Sequence, residues 1–497
     1  MRKTHDPQLK LGQVNINDIQ IDLNDRDELP QLLIGLQAIN VNSDIRDAIF
    51  KILTDSFGNQ TNLKKGRPGM DLWKILVLGI VRPLCNWDFD KLRDIANNHH
   101  DLRLILGHHP DDWSSRYPLQ TLKDNISKFT PDVLDKINQV MVNYGHTVFN
   151  KPNAPVVLKA SADSFVVETN VHFPTDIFLL WDANRCAIHQ MMRLCHALGM
   201  SDWIQGDHQK LKLKQSLRLV SKLKNSTSRD DRIKAKKEKE MKQAYQDSLN
   251  IAIHQVNKMR LNLDSIKEPD ALTIARINAI KGYLVHSDRQ IDQIRRRAIQ
   301  DEKIAHSEKV FSIFEPHTEW ISKGKAGVPV ELGLKVCIVK DQNGLILHHR
   351  VMEHETDDQI AVTIIKETKE KFSALSTCSF DKGFHSKDNQ TKLAPMLDRV
   401  VLPRKGKLSA ETAAIEKAPE FVALRRKHSA VESSINALEN HGLDMCPDHG
   451  LAGFKRYVGL AVLGRNIQII GRAIQIKKQQ ALKKAEKKKP SRRTACG

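Results

Sequence analysis

The spacing of apolar residues divides the chain into a helical first part, a strand-rich part with a long interruption, and a helical end. Residues 1–150 show helical periodicity. Within them, Asp71–Leu84 is rich in apolar residues, among them Leu72, Ile75, Leu76, Leu78 and Ile80, with Asp71 as the expected N-cap. Shorter helices are expected at Trp87–Asn97 and His100–Leu106, and a helical pair at about 119–148. We therefore predict an all-α N-terminal domain over residues 1–150.

Strand patterns begin after residue 153 and return at residue 330. Asn343-Gly344 separates two apolar runs, which is a strong hairpin signal. Strands then alternate with helices, and this order predicts a mixed α/β sheet flanked by helices. The predicted strands are Val156–Ala162, Phe165–Val171, Val330–Val339, Leu345–Met352, a run ending at Asp381, and Arg399–Leu402. The predicted helices are Leu179–Leu198, Asp357–Phe372 (capped by Thr356 or Asp357), one starting at Ser386, Phe421–Glu439 and Phe454–Ile476.

Residues 206–310 interrupt the strand-rich part. They are polar, rich in lysine and nearly free of proline and glycine, and apolar residues recur every three or four positions from Met241 and again from Ile274. Because Lys267–Asp270 breaks the pattern, we predict a long antiparallel helical hairpin; a solvated coiled-coil spacer fits the same pattern. The predicted domains are 1–150, a core over 151–205 and 311–470, the insertion 206–310, and a basic disordered tail 471–497.

Positive charge is concentrated in two blocks. The chain of 497 residues has a formal net charge of +19. Residues 205–300 hold 22 Lys and Arg against 11 Asp and Glu, and residues 472–497 hold 10 against 1. Charge placed in blocks is typical of proteins that bind a polyanion. For the tail, a purely solubilising role is the alternative.

The cysteines and apolar runs indicate where the protein resides. Its seven cysteines are scattered and form no C-x-x-C pair, which favours a reducing cytosol. No secretory signal follows Met1, and the longest apolar run, Ile75–Val81, is too short to span a bilayer. We expect a soluble cytoplasmic protein with no membrane partner.

Three acidic residues in different settings are the candidate catalytic groups. Asp163 and Asp381 end predicted strands, and Glu432 lies within a predicted helix. Carboxylates at such places can meet and hold two divalent metal ions, which clamp the attacking and leaving oxygens of a phosphate displacement. A single Asp at a strand end is more often a turn residue, so the prediction depends on all three acids together.

At these residues the chain resembles a known group, the DDE-type insertion-sequence transposases with an RNase H-like catalytic core. The matching stretches are Asp163–Asp176, Lys323–Lys335, Phe380–Ser386 and Val431–Ser434; His441–Asn466 is similar to the ISNCY-like branch. The resemblance implies that Asp163, Asp381 and Glu432 hold two Mg²⁺ ions, for which Mn²⁺ can substitute. It further implies binding of double-stranded DNA at terminal inverted repeats, cleavage and strand transfer, at least a dimer in the DNA complex, and a bacterial, nucleoid-associated location.

Other residues are candidates for contact with DNA. Lys64, Lys65 and Arg67 flank a Gly-Arg-Pro core that can lie in a narrow minor groove; a basic linker is the alternative. The short N-terminal helices form a unit of the kind that can place one helix in a major groove. Arg425 and His428 precede Glu432 by one or two helical turns and could offer positive charge to phosphates.

Several alternatives stay open on the sequence alone. Glu439 is the competing third acid. Related transposases often carry a Tyr and an Arg before the glutamate and a Lys seven positions after it, and this chain departs from that pattern. His441, Cys446 and His449 invite a zinc interpretation, but no fourth ligand is evident. A nuclease or Holliday-junction resolvase on the same core, or an inactive DNA-binding protein derived from a transposable element, are the competing functions.

Overall fold

A computed structural model describes residues 12–22, 28–58, 69–150, 157–225, 230–322, 329–406 and 409–488. The chain divides into two compact units. The first unit comprises residues 1–170 and 321–497, and the second comprises residues 171–320. No helix among the described residues has the length and apolar character needed to cross a membrane.

The N-terminal part of the first unit is helical, as predicted. Leu72–Leu84 follows an N-cap at Asp71, and all of its residues except Lys74 are buried. A helix so enclosed cannot enter a DNA groove. The helices are α1 (Glu28–Val41), α2 (Ser43–Gly58), α3 (Leu72–Leu84), α4 (Phe89–Asn98), α5 (His100–Ile105), α6 (Leu119–Ile126) and α7 (Pro131–Phe149).

The second unit is built from four long helices packed around one apolar core. They are α8 (Asp176–Leu198), α9 (Gly206–Lys224), α10 (Asp231–Asp264) and α11 (Ala271–Ile294). Helix α8 packs against α9 and α11, and α10 packs against the same two helices. The break between α10 and α11 falls where it was predicted. The unit is wider than the predicted insertion, because α8 shares its core. It also differs from the predicted two-helix hairpin, because α9 is a separate helix before α10.

Among the described residues of the first unit, one sheet carries both parallel and antiparallel strands. Its strands are β1 (Leu158–Thr169), β2 (Glu319–Ser322), β3 (Val330–Asp341), β4 (Ile346–Val351), β5 (Leu375–Phe380), β6 (Arg399–Val401) and β7 (Met445–Cys446). The central β1 pairs antiparallel with β3 and parallel with β5; β4 is antiparallel to β3, and β6 is parallel to β5. The order is β2-β3-β1-β5-β6, with β4 also on β3 and β7 on β1. The predicted mixed α/β sheet is therefore present.

Helices cover both faces of this sheet. They are α12 (Asp357–Lys371), α13 (Lys387–Leu393), α14 (Ala410–Lys417), α15 (Pro419–Leu438) and α16 (Gly450–Lys488). Apolar residues of α12 share a core with Ala160 and Ala162 of β1. Those of α15 share a second core with Phe165 and Val167 of the same strand. Alternate residues of β1 thus face opposite helices, as strand geometry requires.

The N-terminal helices are part of the sheet unit and do not form a separate domain. Their apolar residues share one core with the sheet and with α16. Helices α1 and α16 cross closely, since a Cβ atom on Gly35 would collide with the carbonyl oxygen of Ile467, and one on Gly471 with that of Gln31. Helix α16 continues beyond the predicted end at Ile476 to Lys488, so much of the predicted disordered tail is helical.

Candidate active site

Asp163 lies in the middle of the central strand and not at a strand end. Its neighbours continue the ladder with β3, where Asp163 pairs with Ile338 and Ser164 with Cys337. The prediction that Asp163 ends a strand is therefore wrong, because these pairings carry β1 on to Thr169. By strand alternation Asp163 shares its face with Phe165, the face covered by α15.

Asp381 follows the strand next to Asp163, as predicted. Strand β5 is parallel to β1, and the last pair in register is Ala162 with Phe380. Asp381 then caps a single 3₁₀ turn, its Oδ2 accepting a hydrogen bond from the Gly383 amide at 3.4 Å. Parallel pairing therefore brings the residues that follow Ala162 and Phe380 to the same place on the sheet.

Glu432 comes from α15, which packs across this part of the sheet. Val431 and Ile435 are buried in the core between α15 and β1, whereas Glu432 is exposed beside them. On the same helix face as these apolar residues, the Lys340 ammonium of β3 donates to the Ala430 carbonyl at 2.6 Å and to Ser434 Oγ at 2.9 Å. The helix is thus attached to the sheet on both sides of Glu432.

The three predicted acids line one cleft with a volume of about 560 Å³. Glu439, the competing third acid, lines it as well. Asp357 is a further acid in the cleft. The remaining lining residues are Ser164, Phe165, Val166, Ile321, Ser322, Lys335, Phe384, Ile435 and Asn436. Residues more than 200 positions apart in the chain thus line the same cleft. Glu432 and Glu439 both remain candidates for the third acid.

The acids interact electrostatically. Burial is the main reason that the pKa of the Asp163 carboxyl rises to about 7. The negative charges of Asp381, Asp357 and Glu432 act in the same direction. A backbone hydrogen bond from the Ser164 amide, at 2.8 Å from Asp163 Oδ1, opposes the rise. Neighbouring carboxylates disfavour one another's ionisation, and Asp381, Asp357 and Glu432 act in this way on Asp163.

Asp357 was missed as a site residue by the sequence reasoning. It is the first residue of α12, after Thr356 as N-cap. Its Oδ1 accepts a hydrogen bond from Ser164 Oγ at 2.6 Å, and its Oδ2 lies 3.1 Å from Lys335 Nζ. The sequence pattern marked Asp357 only as a capping residue. A signal for this residue was available in the sequence, because Asp357 is an acid at the start of the helix that follows the predicted hairpin.

The donor chemistry of the cleft suits a hard divalent cation, because Mg²⁺ prefers carboxylate and water oxygens. In the described part of the chain, no three His, Cys, Asp or Glu side chains lie close enough to hold an ion between them. The acids therefore line the same cleft, but their side chains are not close enough together to coordinate one ion. The same finding covers His441, Cys446 and His449 and gives the zinc alternative no support.

The predicted DNA-contacting residues fall in different surroundings. His428 points toward the sheet, with Nδ1 3.1 Å from Ser379 Oγ and a buried Nε2, and burial lowers its pKa. Arg425 is on the outer side of α15, 48% exposed and 4.0 Å from Glu416 Oε2. Lys64, Lys65 and Arg67 lie outside the described residues.

Comparisons with known proteins identify no relative. No protein-family model, no curated protein and no solved structure matches this chain. A function for the chain must therefore be inferred from the acidic cleft and from the charge distribution.

Proposed function

We propose that the protein is a DDE-type transposase that cuts phosphodiester bonds at element ends and joins the freed 3′ end to target DNA. One observation carries this proposal. Asp163, Asp381 and Glu432 come from three separate parts of the chain, yet they line one cleft.

The strand arrangement supports an RNase H-like core. Strands β4, β3 and β1 are successively antiparallel, and β5 and β6 continue the sheet in parallel on the other side of β1. One acid lies on the central strand, the second directly after its parallel neighbour, and the third on a helix that covers both. This distribution supports the proposed roles of Asp163, Asp381 and Glu432, which the resemblance to DDE transposases implies.

These three carboxylates are the residues that would hold the metal ions. Bound Mg²⁺, or Mn²⁺ in its place, would supply Lewis-acid activation of the attacking oxygen and stabilisation of the leaving one. Lys335 and Ser164 hold Asp357 at the rim of the cleft and fix its orientation. Burial, and after it the negative charges of Asp381, Asp357 and Glu432, raise the pKa of Asp163. A divalent cation in the cleft would offset the repulsion among these carboxylates.

The second unit offers a surface for the DNA backbone. Helix α9 and the first half of α10 expose a series of lysines and arginines to solvent, and this region contains most of the positive block in residues 205–300. Such charge contributes affinity that does not depend on base sequence. The exposed cations are Lys212, Lys214, Arg218, Lys222, Arg232, Lys234, Lys236 and Lys239. Pairing of two element ends would need at least two copies of the chain.

The test incubates purified protein with labelled DNA that carries the inverted repeats bordering its coding region, in the presence of Mg²⁺. We expect strand cleavage at the repeat ends. Asp163→Asn, Asp381→Asn and Glu432→Gln should each abolish cleavage and leave binding of the ends nearly unchanged, because each removes a metal ligand and no DNA contact.

Asp388→Asn is the matched control, since Asp388 is an exposed acid paired with Lys392 on α13 and does not line the cleft. Its cleavage should equal that of the wild type. Cleavage that persists in the cleft variants would contradict the proposal. Equal cutting of DNA without the repeats would favour a nuclease or resolvase, and binding without cutting would favour an inactive DNA-binding protein.

A further inference from the structure

The helical unit of residues 171–320 contains a cavity of its own, with a volume of about 380 Å³. Its size lies within the range of pockets that take small-molecule ligands. Aromatic and positively charged side chains line it together. The lining residues used below are Phe173, His306, Phe311 and Trp320 among the rings, and Lys224, Arg297 and Lys309 among the cations.

Four rings in the cavity wall form a continuous row. Phe311 lies between His306 and Trp320, with ring centroids 5.3 Å and 5.7 Å apart and planes tilted by 39° and 38°. Phe173 meets Trp320 edge-on, with centroids 5.5 Å apart. Phe173 is also 58% exposed. The row thus gives the cavity a wall of four adjoining rings.

The charges around the rings favour an anion. Arg297 Nε is 2.5 Å from Asp176 Oδ2, so these two opposite charges largely offset each other. Lys224 and Lys309 are exposed, and neither has an ion-pair partner within 4.0 Å among the described residues. A cationic ligand would be repelled by this excess of positive charge, although aromatic walls alone would attract it. A ligand with a flat ring and a negative group fits both the aromatic wall and the unpaired lysines.

We propose that this cavity binds a nucleotide, with its base against Trp320 and Phe311 and its phosphate near Lys224 and Lys309. Base stacking on aromatic side chains tolerates any base, since every base has a π-face. The nucleotide could be free in solution or an unpaired residue of a DNA strand, because both have a base that can stack on the rings and a phosphate that the lysines can bind. This inference uses no residue of the acidic cleft and stands apart from the proposed transposase activity.

The test measures binding of deoxyadenosine monophosphate to the full-length protein by calorimetry. We expect saturable binding that Trp320→Ala and Phe311→Ala each weaken about tenfold or more. Trp320→Phe, which keeps an aromatic ring, should stay within a few-fold of the wild type. Deoxyadenosine without phosphate should bind more weakly, and the paired change Lys224→Gln with Lys309→Gln should remove that difference.

Phe314→Ala is the matched control. Phe314 is an exposed aromatic residue close in sequence to Phe311, but its ring lies near Arg185 and does not line the cavity. Binding should not change in this variant. Absence of saturable binding to the wild type, or equal losses in Phe314→Ala and Phe311→Ala, would overturn the proposal.

Competition identifies the source of the nucleotide. A single-stranded oligonucleotide that displaces the mononucleotide far better than a blunt duplex would identify an unpaired nucleotide of a DNA strand. Displacement by neither form of DNA would identify a free nucleotide. Both outcomes support a nucleotide site, and thermal unfolding of each variant checks that the fold is retained.

Discussion

The Lys340 ammonium donates a hydrogen bond to the Ala430 carbonyl oxygen at 2.6 Å, and so joins strand β3 to the helix that carries Glu432. Lys340 is 9% exposed, and burial lowers its pKa. A second hydrogen bond to Ser434 Oγ lies beyond Glu432 on the same helix. Lys340 therefore helps the apolar core around Val431 and Ile435 to fix the position of Glu432 relative to the sheet residue Asp163.

We predict that Lys340→Met lowers cleavage of element ends and leaves DNA binding intact. The Met side chain fills similar space but donates no hydrogen bond, so α15 loses the bonds at the Ala430 carbonyl and Ser434 Oγ that flank Glu432. Loss of these bonds should also lower the free energy of unfolding by about 1.5–3 kcal/mol, the usual contribution of a charged hydrogen bond. Lys366→Met, at an exposed position on α12, is the control. Full cleavage by Lys340→Met would show that the lysine does not position Glu432.

Asp357 should be needed for full activity although the sequence did not mark it. Replacement by Asn removes a charge that Lys335 and Ser164 hold beside Asp163. We expect Asp357→Asn to lower the cleavage rate about 10- to 100-fold, as is typical for partners of metal ligands, and to raise the Mg²⁺ concentration required. The neighbouring Asp358→Asn, which does not line the cleft, should behave as wild type. Rates measured over a Mg²⁺ series distinguish these outcomes.

The exposed cations of α10 should bind DNA without regard to its sequence. Changing Lys234, Lys236 and Lys239 together to Gln should weaken binding of repeat and non-repeat DNA by the same factor. The slope of log K against log salt should fall by about one for each lysine that contacts a phosphate. Lys392→Gln on α13 is the control, since Asp388 already pairs with that lysine. A change confined to repeat DNA would assign these lysines to sequence recognition instead.

Stability should decrease in weak acid because of His108. Burial, and then the charges of Lys74 and Arg103, lower the pKa of this histidine from 6.5 to about 4. Between those values the unfolded chain binds a proton that the folded chain does not, so the free energy of unfolding falls as the pH drops below 6.5. At pH 5 the loss from this group is about 2 kcal/mol.

Urea unfolding at pH 7.5 and pH 5 checks this prediction. His108→Gln can keep a hydrogen bond to Tyr117, which lies 2.6 Å from His108 Nε2, and removes the titration. Its stability should therefore depend less on pH than that of the wild type. His100→Gln, a change at an exposed histidine, is the control. Identical pH dependence in wild type and His108→Gln would contradict the assignment.

Local features of the fold were predictable where a few neighbouring residues determine the conformation. The hairpin is an example: Asp341 Oδ1 accepts hydrogen bonds from the amides of Asn343 and Leu345, both at 2.9 Å, and Gly344 adopts the positive φ of 88° that glycine tolerates. The start of α12 is another, since the Thr356 capping box lies within four residues.

Features that depend on distant partners were not predictable in the same way. The periodicity of α1 and α16 reveals two apolar helices, but not that Gly35 and Gly471 let them cross closely within the sheet unit. Strand alternation around Asp163 is compatible with a strand end, and only the pairing with β3 shows that the strand continues. Asp357 looks like a helix cap until Lys335 is placed beside it.

Counting the divalent ions bound at the acidic cleft is the most direct measurement. Electron paramagnetic resonance of Mn²⁺, titrated into the protein with a pre-cleaved element end, reports the number of ions bound per chain. We expect two bound ions for the wild type and for Asp388→Asn. We expect fewer for Asp163→Asn, because this change removes a carboxylate that would contact the metal ions. A wild-type protein that binds no Mn²⁺, or an Asp163→Asn variant that binds as many ions as the wild type, would contradict the assignment of Asp163, Asp381 and Glu432 as metal ligands.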